Sequence, residues 1–588
     1  MLTMLVALLL ATVSASAQDA SEAHIGLPVD WSNRHVTHTS APNTADFEQE
    51  ARHEPRALYN WIFRQRSRQA AAQVKTFRSA PKTRSRVDWN FTLGAGKVAP
   101  NMSPAKYSFN ISSNPDCTND FVTFGLDVAG SGTQPNLVGL KNLYSEPGGT
   151  GFCAGTGPSV RFAYNVTTVA GGRVLTSPAL SFDGTKIAFI ESAASSAVFH
   201  VLKIGTTGSN GAFTILTNTY TAVQPDNLGI INNATMSSLT YSATASNTRS
   251  SLWIDYANDI AYFGDDAGLL YKTTCVFFCG ASSPALATGW PITVSAATTL
   301  APPVLDSTNN KIFVGSSDGK LYMVPLASCP GVGCAAAIKN LVVGAGGASG
   351  GVIDAVLLDG TFGTVVAVSG KDASNNGHMT QASNALTSLA VLSFGSASFD
   401  LLAPSFDDAY YGNNIGNAAV VGTLDACATN GGSGQAAFYV FSFTKAAGNL
   451  SVANPPVVNT AASSQSKNNI PGNPGIGCSP YTELLNGTDR VFFSQSSVPA
   501  GKCGSGSPAG GCLFSYSIAG GPSPLGSTPE LSGTSAIVVD NVANTTSFPQ
   551  ASSIYFGNQA TSAGCATGTG VTAVNGFCAI KLTQANLN

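Results

Sequence analysis

Two stretches of this chain that begin 50 residues apart align almost position for position, and nothing else in the sequence restricts the fold as strongly. Ile254-Asp255-Tyr256-Ala257-Asn258-Asp259-Ile260-Ala261-Tyr262-Phe263-Gly264 matches Val304-Leu305-Asp306-Ser307-Thr308-Asn309-Asn310-Lys311-Ile312-Phe313-Val314-Gly315. Each continues through an Asp turn, at Asp265 and Asp318, into a third apolar run that holds Tyr271 or Tyr322. Short apolar runs divided by Asx-rich and Asp-Gly turns form antiparallel meanders, because Asp and Asn bond their own backbone and tolerate tight turns. A third copy spans Pro178 to Leu202 with Asp183-Gly184 as its first turn, and fainter copies surround Phe121, Val365, Ala419, Val491 and Ile554.

Taking the second run of each copy as a marker gives eight copies spaced 52 to 73 residues apart. A meander with two apolar faces cannot bury both alone, so copies stack side by side until the ring closes. Four-stranded repeats of roughly 40–50 residues mark β-propellers, and the excess length here fits inserted loops. The sequence therefore predicts an all-β, eight-bladed β-propeller over residues 87–588, with seven blades as the alternative. The last copy ends at Phe577-Cys578-Ala579-Ile580-Lys581-Leu582, one outer strand short, and Trp89-Asn90-Phe91-Thr92-Leu93 is an apolar run able to supply it.

Residues 1–90 differ from the rest, holding 11 Lys/Arg against 8 Asp/Glu in a chain whose net charge is −3 and whose charged fraction is only 10%. Ten of those basic residues lie between Arg52 and Arg86, interleaved with Tyr59, Trp61 and Phe63. A basic, aromatic tract can bind nucleic acid. A free basic tail rarely carries such dense aromatics, however, so an amphipathic helix near Thr44 to Ala71 is preferred. On that reading Leu58, Trp61, Ile62 and Phe63 dock on the propeller and the arginines are solvated. Residues 18–86 are thus expected to be a basic arm with a short helix, and no nucleic-acid partner is expected.

The run Leu2 to Val13, followed by Ala15-Ser16-Ala17, has the apolar core and small-residue cleavage site of a secretory signal peptide, assigned to residues 1–17. No later stretch approaches the ~20 apolar residues of a membrane-spanning helix. The 12 cysteines agree with an oxidising, secreted or periplasmic location. Neighbours along the chain are expected to pair: Cys117 with Cys153, Cys275 with Cys279, Cys329 with Cys334, Cys427 with Cys478, Cys503 with Cys512, and Cys565 with Cys578.

The segment Asp306 to Tyr322, with Ile312-Phe313-Val314-Gly315 and Asp318-Gly319-Lys320-Leu321-Tyr322, resembles the repeat of the pyrroloquinoline-quinone-like propeller superfamily. Pro178 to Ile190 is more similar to the repeat of TolB-type propellers, and the whole chain resembles uncharacterised secreted bacterial propeller proteins. The quinone dehydrogenases of that superfamily often carry adjacent disulfide-bonded cysteines and a Trp-bearing repeat motif. This chain has no Cys-Cys pair, and only Trp253 and Trp290 lie beyond residue 90, so a quinone cofactor is not expected.

Direct signals for chemistry are sparse. His200 and His378, the two propeller histidines, have no His or Cys at ligand spacing and are expected to be structural or surface residues. Acidic pairs such as Asp265/Asp266 and Asp407/Asp408 are expected to serve turns. The one metal candidate is Asp372-Ala373-Ser374-Asn375-Asn376-Gly377, where Asp372, Ser374 and Asn376 alternate as in the start of a calcium loop. Without a carboxylate at the twelfth position, weak binding or none is expected. Two functions from different classes follow. The favoured one is an exported, non-catalytic propeller that binds a protein, envelope polymer or glycan through its loops. The alternative is a quinone- or calcium-dependent dehydrogenase, or a sugar-acting enzyme, with its site at the central channel. That enzyme would need a convergent carboxylate or Arg cluster at one channel mouth, and two of the propeller arginines Arg161, Arg173, Arg249 and Arg490 meeting carboxylates there would favour it.

Overall fold

A computed structural model describes residues 26–583 apart from 39–44, 74–85, 227–232, 279–282, 413–421, 430–433, 445–455, 460–464, 542–547, 566–573 and several shorter stretches. Among the described residues, eight sheets of four or five strands, antiparallel but for one added strand, follow one another along the chain as the blades of a propeller, with one small hairpin besides. Blade 4 is the plainest copy: Val304–Asp306, Lys311–Gly315, Lys320–Pro325 and Lys339–Val342, in that order from the channel outward. The sequence marker at Ala419 lies outside the described residues, and the corresponding strand of blade 6 is Thr423–Thr429.

Every seam between consecutive blades is filled by one apolar cluster. Blades 4 and 5, for example, share Val314, Leu321, Val352, Val365 and Ala367. The ring closes as the sequence predicts. Arg86–Gly94 pairs antiparallel with Val574–Thr583 as the outer strand of blade 8, Trp89 standing opposite Lys581. The first strand of the propeller region and the last described strand thus complete one sheet.

The turn after four of the inner strands, in blades 3 to 6, explains the recurring Asp. Oδ1 of Asp255, Asp306, Asp359 and Asp407 accepts the backbone N–H three residues on, from Asn258, Asn309, Phe362 and Tyr410 at 2.8–3.2 Å. These are the local bonds that suit Asp to such turns. A second recurring Asp holds the next turn, where the Tyr271 hydroxyl donates to Asp265 and that of Tyr322 to Asp318.

Disulfides join Cys117–Cys153, Cys329–Cys334, Cys427–Cys478, Cys503–Cys512 and Cys565–Cys578. Cys279 lies outside the described residues, as does the expected signal peptide. No helix among the described residues is long and apolar enough to cross a membrane.

Candidate functional site: the filled channel and its mouth

The arm enters the ring. Leu27–Val29 adds an antiparallel strand to the inner edge of blade 1, against Ala105–Ser108, and Val36–Thr37 adds a parallel one to blade 5, against Leu357–Asp359. Blades 1 and 5 face each other across an eight-bladed ring, so the short turn Trp31–Arg34 spans the channel. Along the other diagonal, Trp31 Nε1 donates to the Leu252 carbonyl of blade 3 at 2.9 Å, and its ring meets Trp253 edge-on. Arg34 donates to Thr482 Oγ1 of blade 7 at 3.0 Å and to the Tyr481 carbonyl. One turn of chain is therefore tied to all four odd-numbered blades.

Two helices, α1 (Ala45–His53) and α2 (Pro55–Gln73), then cover one face of the ring. Leu58, Ile62 and Phe63 are buried there and Trp61 is half-buried, as the spacing predicts. The expectation of solvated arginines fails at Arg56 and Arg64, which are 0% and 6% exposed. Arg56 is held between Asp30, at 2.6 and 2.7 Å, and Glu54, with its guanidinium over Trp253 and Tyr256. Arg64 lies over the Tyr411 ring and bonds Asp408 at 3.1 Å and both oxygens of Glu483. Arg64 was beyond sequence reasoning because Asp408 and Glu483 come from blades 6 and 7. Arg56 is paired within the arm, by Asp30 and by Glu54 two residues before it, and that adjacent Glu54 was the readable signal. His53 Nδ1 meets Asp255 at 2.8 Å, and Glu50 bonds Ser307.

The opposite mouth stays concave. Ser103, Ser177, Ser251, Pro302 and Asp354 line it, each just before an inner strand, with Trp31, Arg34, His35 and Arg249. Its volume is about 30 Å³, room for about two ordered waters. His35 is buried, with Nδ1 3.1 Å from the Val356 carbonyl. Burial, with the Arg34 cation beside it, pulls its pKa down to about 4, so the imidazole is neutral and Nδ1 carries the donating proton. Burial also lowers Arg34, while Asp354 opposes that. The Asp354 oxygens accept from the backbone N–H groups of Ala355 and Ala403. Arg249 is half-buried, and its cation acts on the nearby Asp266 carboxyl, opposing the rise that burial imposes there.

The other candidate residues do not converge on this mouth. Arg161 stacks on Phe121 and donates to the Asn119 carbonyl, Arg173 pairs with Asp127 at 3.2 Å on the surface, and Arg490 is buried in blade 7. Arg249 alone of the four lines the mouth. In the calcium candidate, Asp372 Oδ1 accepts the N–H groups of Ser374 and Asn376 at 2.9 and 3.0 Å, while Oδ2 accepts that of Ala345 and faces His378 Nδ1 at 2.8 Å. Against the cost of burial, those backbone donors hold the Asp372 carboxyl below its ordinary value. Ser374 and Asn376 therefore meet Asp372 through the backbone, in the turn position that Asp265 and Asp318 occupy elsewhere. His200 is buried in blade 2, its Nε2 3.0 Å from Glu191 and its Nδ1 2.8 Å from Ser238 on the outer strand. Glu191 also accepts the N–H groups of Thr168 and Val169, so this relay pins an incoming loop to the sheet.

No family model matches the chain, and no curated protein matches it. Solved structures do resemble it in fold. The Dos1 propeller is 9% identical, with 84% of this chain and 94% of that one covered, at a TM-score of 0.42. The C-terminal WD40 domain of Sif2 is 8% identical, with 86% and 99% covered, at 0.41. The dihydro-heme d1 dehydrogenase NirN in complex with DHE is 10% identical, with 78% and 77% covered, at 0.36.

Proposed function

We propose that this is an exported, non-catalytic binding propeller, related to the pyrroloquinoline-quinone-like and TolB-like propellers, which takes an anionic group of a protein or glycan partner at the open channel mouth. The observation that carries the proposal is the filled channel. The passage that the enzyme alternative needs is occupied by the chain's own segment from Leu27 to Thr37, with about 30 Å³ left above it. What remains is a shallow mouth lined by Ser103, Ser177 and Ser251 with Arg249 and Arg34, and half-buried guanidinium groups beside hydroxyl donors favour an anion. Five disulfides fit an oxidising compartment outside the cytosol. The partner reads the rim and the connecting loops, where propellers vary most freely.

The test is titration calorimetry with two probes, a uronic-acid oligosaccharide and an acidic peptide, on the wild-type chain and on Arg249→Glu. Binding of either probe that weakens with added salt and falls at least about tenfold in the variant, a difference of about 1.4 kcal/mol, is the expected result. Equal binding by both proteins, or none by the wild type, overturns the proposal.

A further inference from the structure

The seam between blades 8 and 1 holds a buried ionic cluster that partner binding does not use. Lys106, on the inner strand of blade 1, places Nζ 2.9 Å from Oδ2 of Asp540 on the inner strand of blade 8, and neither side chain has any exposure. Asp120 presents its own Oδ2 3.9 Å from the same nitrogen. The Tyr144 hydroxyl lies 2.7 Å from Asp120 Oδ2 and 3.1 Å from Asp540 Oδ2, and accepts from Lys106 Nζ at 3.0 Å. Asp540 Oδ2 also takes the Tyr555 hydroxyl at 3.2 Å, while its Oδ1 has no hydrogen-bond partner among the described residues. Lys581 and Asp88 form a second buried pair at 2.9 Å nearby.

Proton counting constrains this cluster. One hydroxyl has one proton to give, yet Tyr144 touches two carboxyl oxygens while accepting from Lys106. The second contact therefore needs a proton on a carboxyl. Charge agrees: Asp88, Asp120 and Asp540 face only Lys106 and Lys581, and a buried site disfavours the unbalanced third negative charge. Burial raises the Asp120 carboxyl above its ordinary range. A lysine amine, a carboxylate in contact with it and a protonated carboxyl able to move protons, all shielded from water, are the reactants and catalyst for forming an amide.

We propose that Lys106 and Asp540 join spontaneously as an intramolecular amide, with Asp120 as the proton carrier. Lys106 passes an ammonium proton to the Asp540 carboxylate 2.9 Å away, and the freed lone pair on Nζ attacks Cγ. The Cγ–Oδ2 bond breaks as the Nζ–Cγ bond is completed. Oδ2 departs as water, carrying the proton from Lys106 and one given up by the Asp120 carboxyl, and the second proton shed by nitrogen returns to Asp120. Oδ1 becomes the amide oxygen, and no oxidant, reductant or cofactor is involved. The bond would join positions 106 and 540, covalently closing the ring that the outer strand of blade 8 closes by hydrogen bonds.

The intact mass of the full-length purified chain, unfolded and reduced, decides the matter. The expected mass is one water below that of the processed sequence, with peptide mapping placing a branch between Lys106 and Asp540. Lys106→Arg and Asp120→Ala should both restore the full mass. A wild-type chain at full mass overturns the proposal whether or not the variants fold, as does a lost water mapped to Lys581 and Asp88. Cross-linking that persists in Asp120→Ala removes Asp120 from the role.

Discussion

The seam between blades 4 and 5 and the seam between blades 8 and 1 do the same geometric job with different chemistry. The first is aliphatic, with Leu321, Val314, Val352 and Val365 interlocking without a charge among them. The second mixes Trp89, Phe121 and Tyr555 with the buried ions of Lys106, Asp540, Lys581 and Asp88. Blades 4 and 5 are consecutive in the chain, so short connections already make them neighbours, and apolar area is enough to hold them. Blades 8 and 1 must find each other from opposite ends, at a larger cost in loop-closure entropy and with seven other blades offering similar apolar faces. Desolvated charges penalise every wrong partner that leaves one unpaired. The ionic seam thus adds specificity where chain connectivity supplies none.

The difference can be broken from its costlier side first. Lys106→Met leaves the buried Asp540 carboxyl with no amine to pair with or to join, and should destabilise the chain by about 3–5 kcal/mol, read from the urea midpoint at unchanged slope. A loss under about 1 kcal/mol would mean that water reaches the cluster and that the seam is ordinary. Leu321→Ala at the aliphatic seam removes packing alone and should cost about 2–4 kcal/mol. The two sites share no partner, so the double variant should lose the sum within about 0.5 kcal/mol. A large departure from additivity would mean that the ring does not unfold as one unit.

How much of this was readable without coordinates depends on how local the cause is. The blade repeat, the turn Asp residues and the closing strand around Trp89 were legible, because alternation and turn chemistry act over a few residues. The docking of Leu58, Ile62 and Phe63 was legible for the same reason. The channel filling was not. Gly26-Leu27-Pro28-Val29-Asp30-Trp31 shows no periodicity, and its partners lie in four separate blades. Arg56 and Arg64 looked like surface charge because basic residues usually are. Only the fold reveals Asp408 and Glu483 at Arg64, and the same holds for the meeting of Lys106 with Asp540.

A smaller effect separates the two halves of the arm by pH. In the channel half, burial beside Arg34 lowers His35 to about 4, below the ordinary value near 6.5. The unfolded segment therefore binds the proton more readily, and acidification from about 6.5 toward about 4 weakens the seating of residues 27–37. On the helical half the signs reverse. The bond to Asp255 raises His53, against its burial, and Glu50, Asp359 and Asp306 raise His38 despite its burial. Their contribution is complete below about 6.5 and is lost as pH climbs through the raised folded values. Glu50 is lowered, by His38 acting against burial, so it loosens the helices only when pH falls below the ordinary carboxylate range. Hydrogen exchange corrected for intrinsic rates should show residues 27–37 opening first on mild acidification, and residues 47–63 opening first above neutrality. If both halves open together at either end, the arm is a single cooperative unit, and its histidines do not set where it lets go.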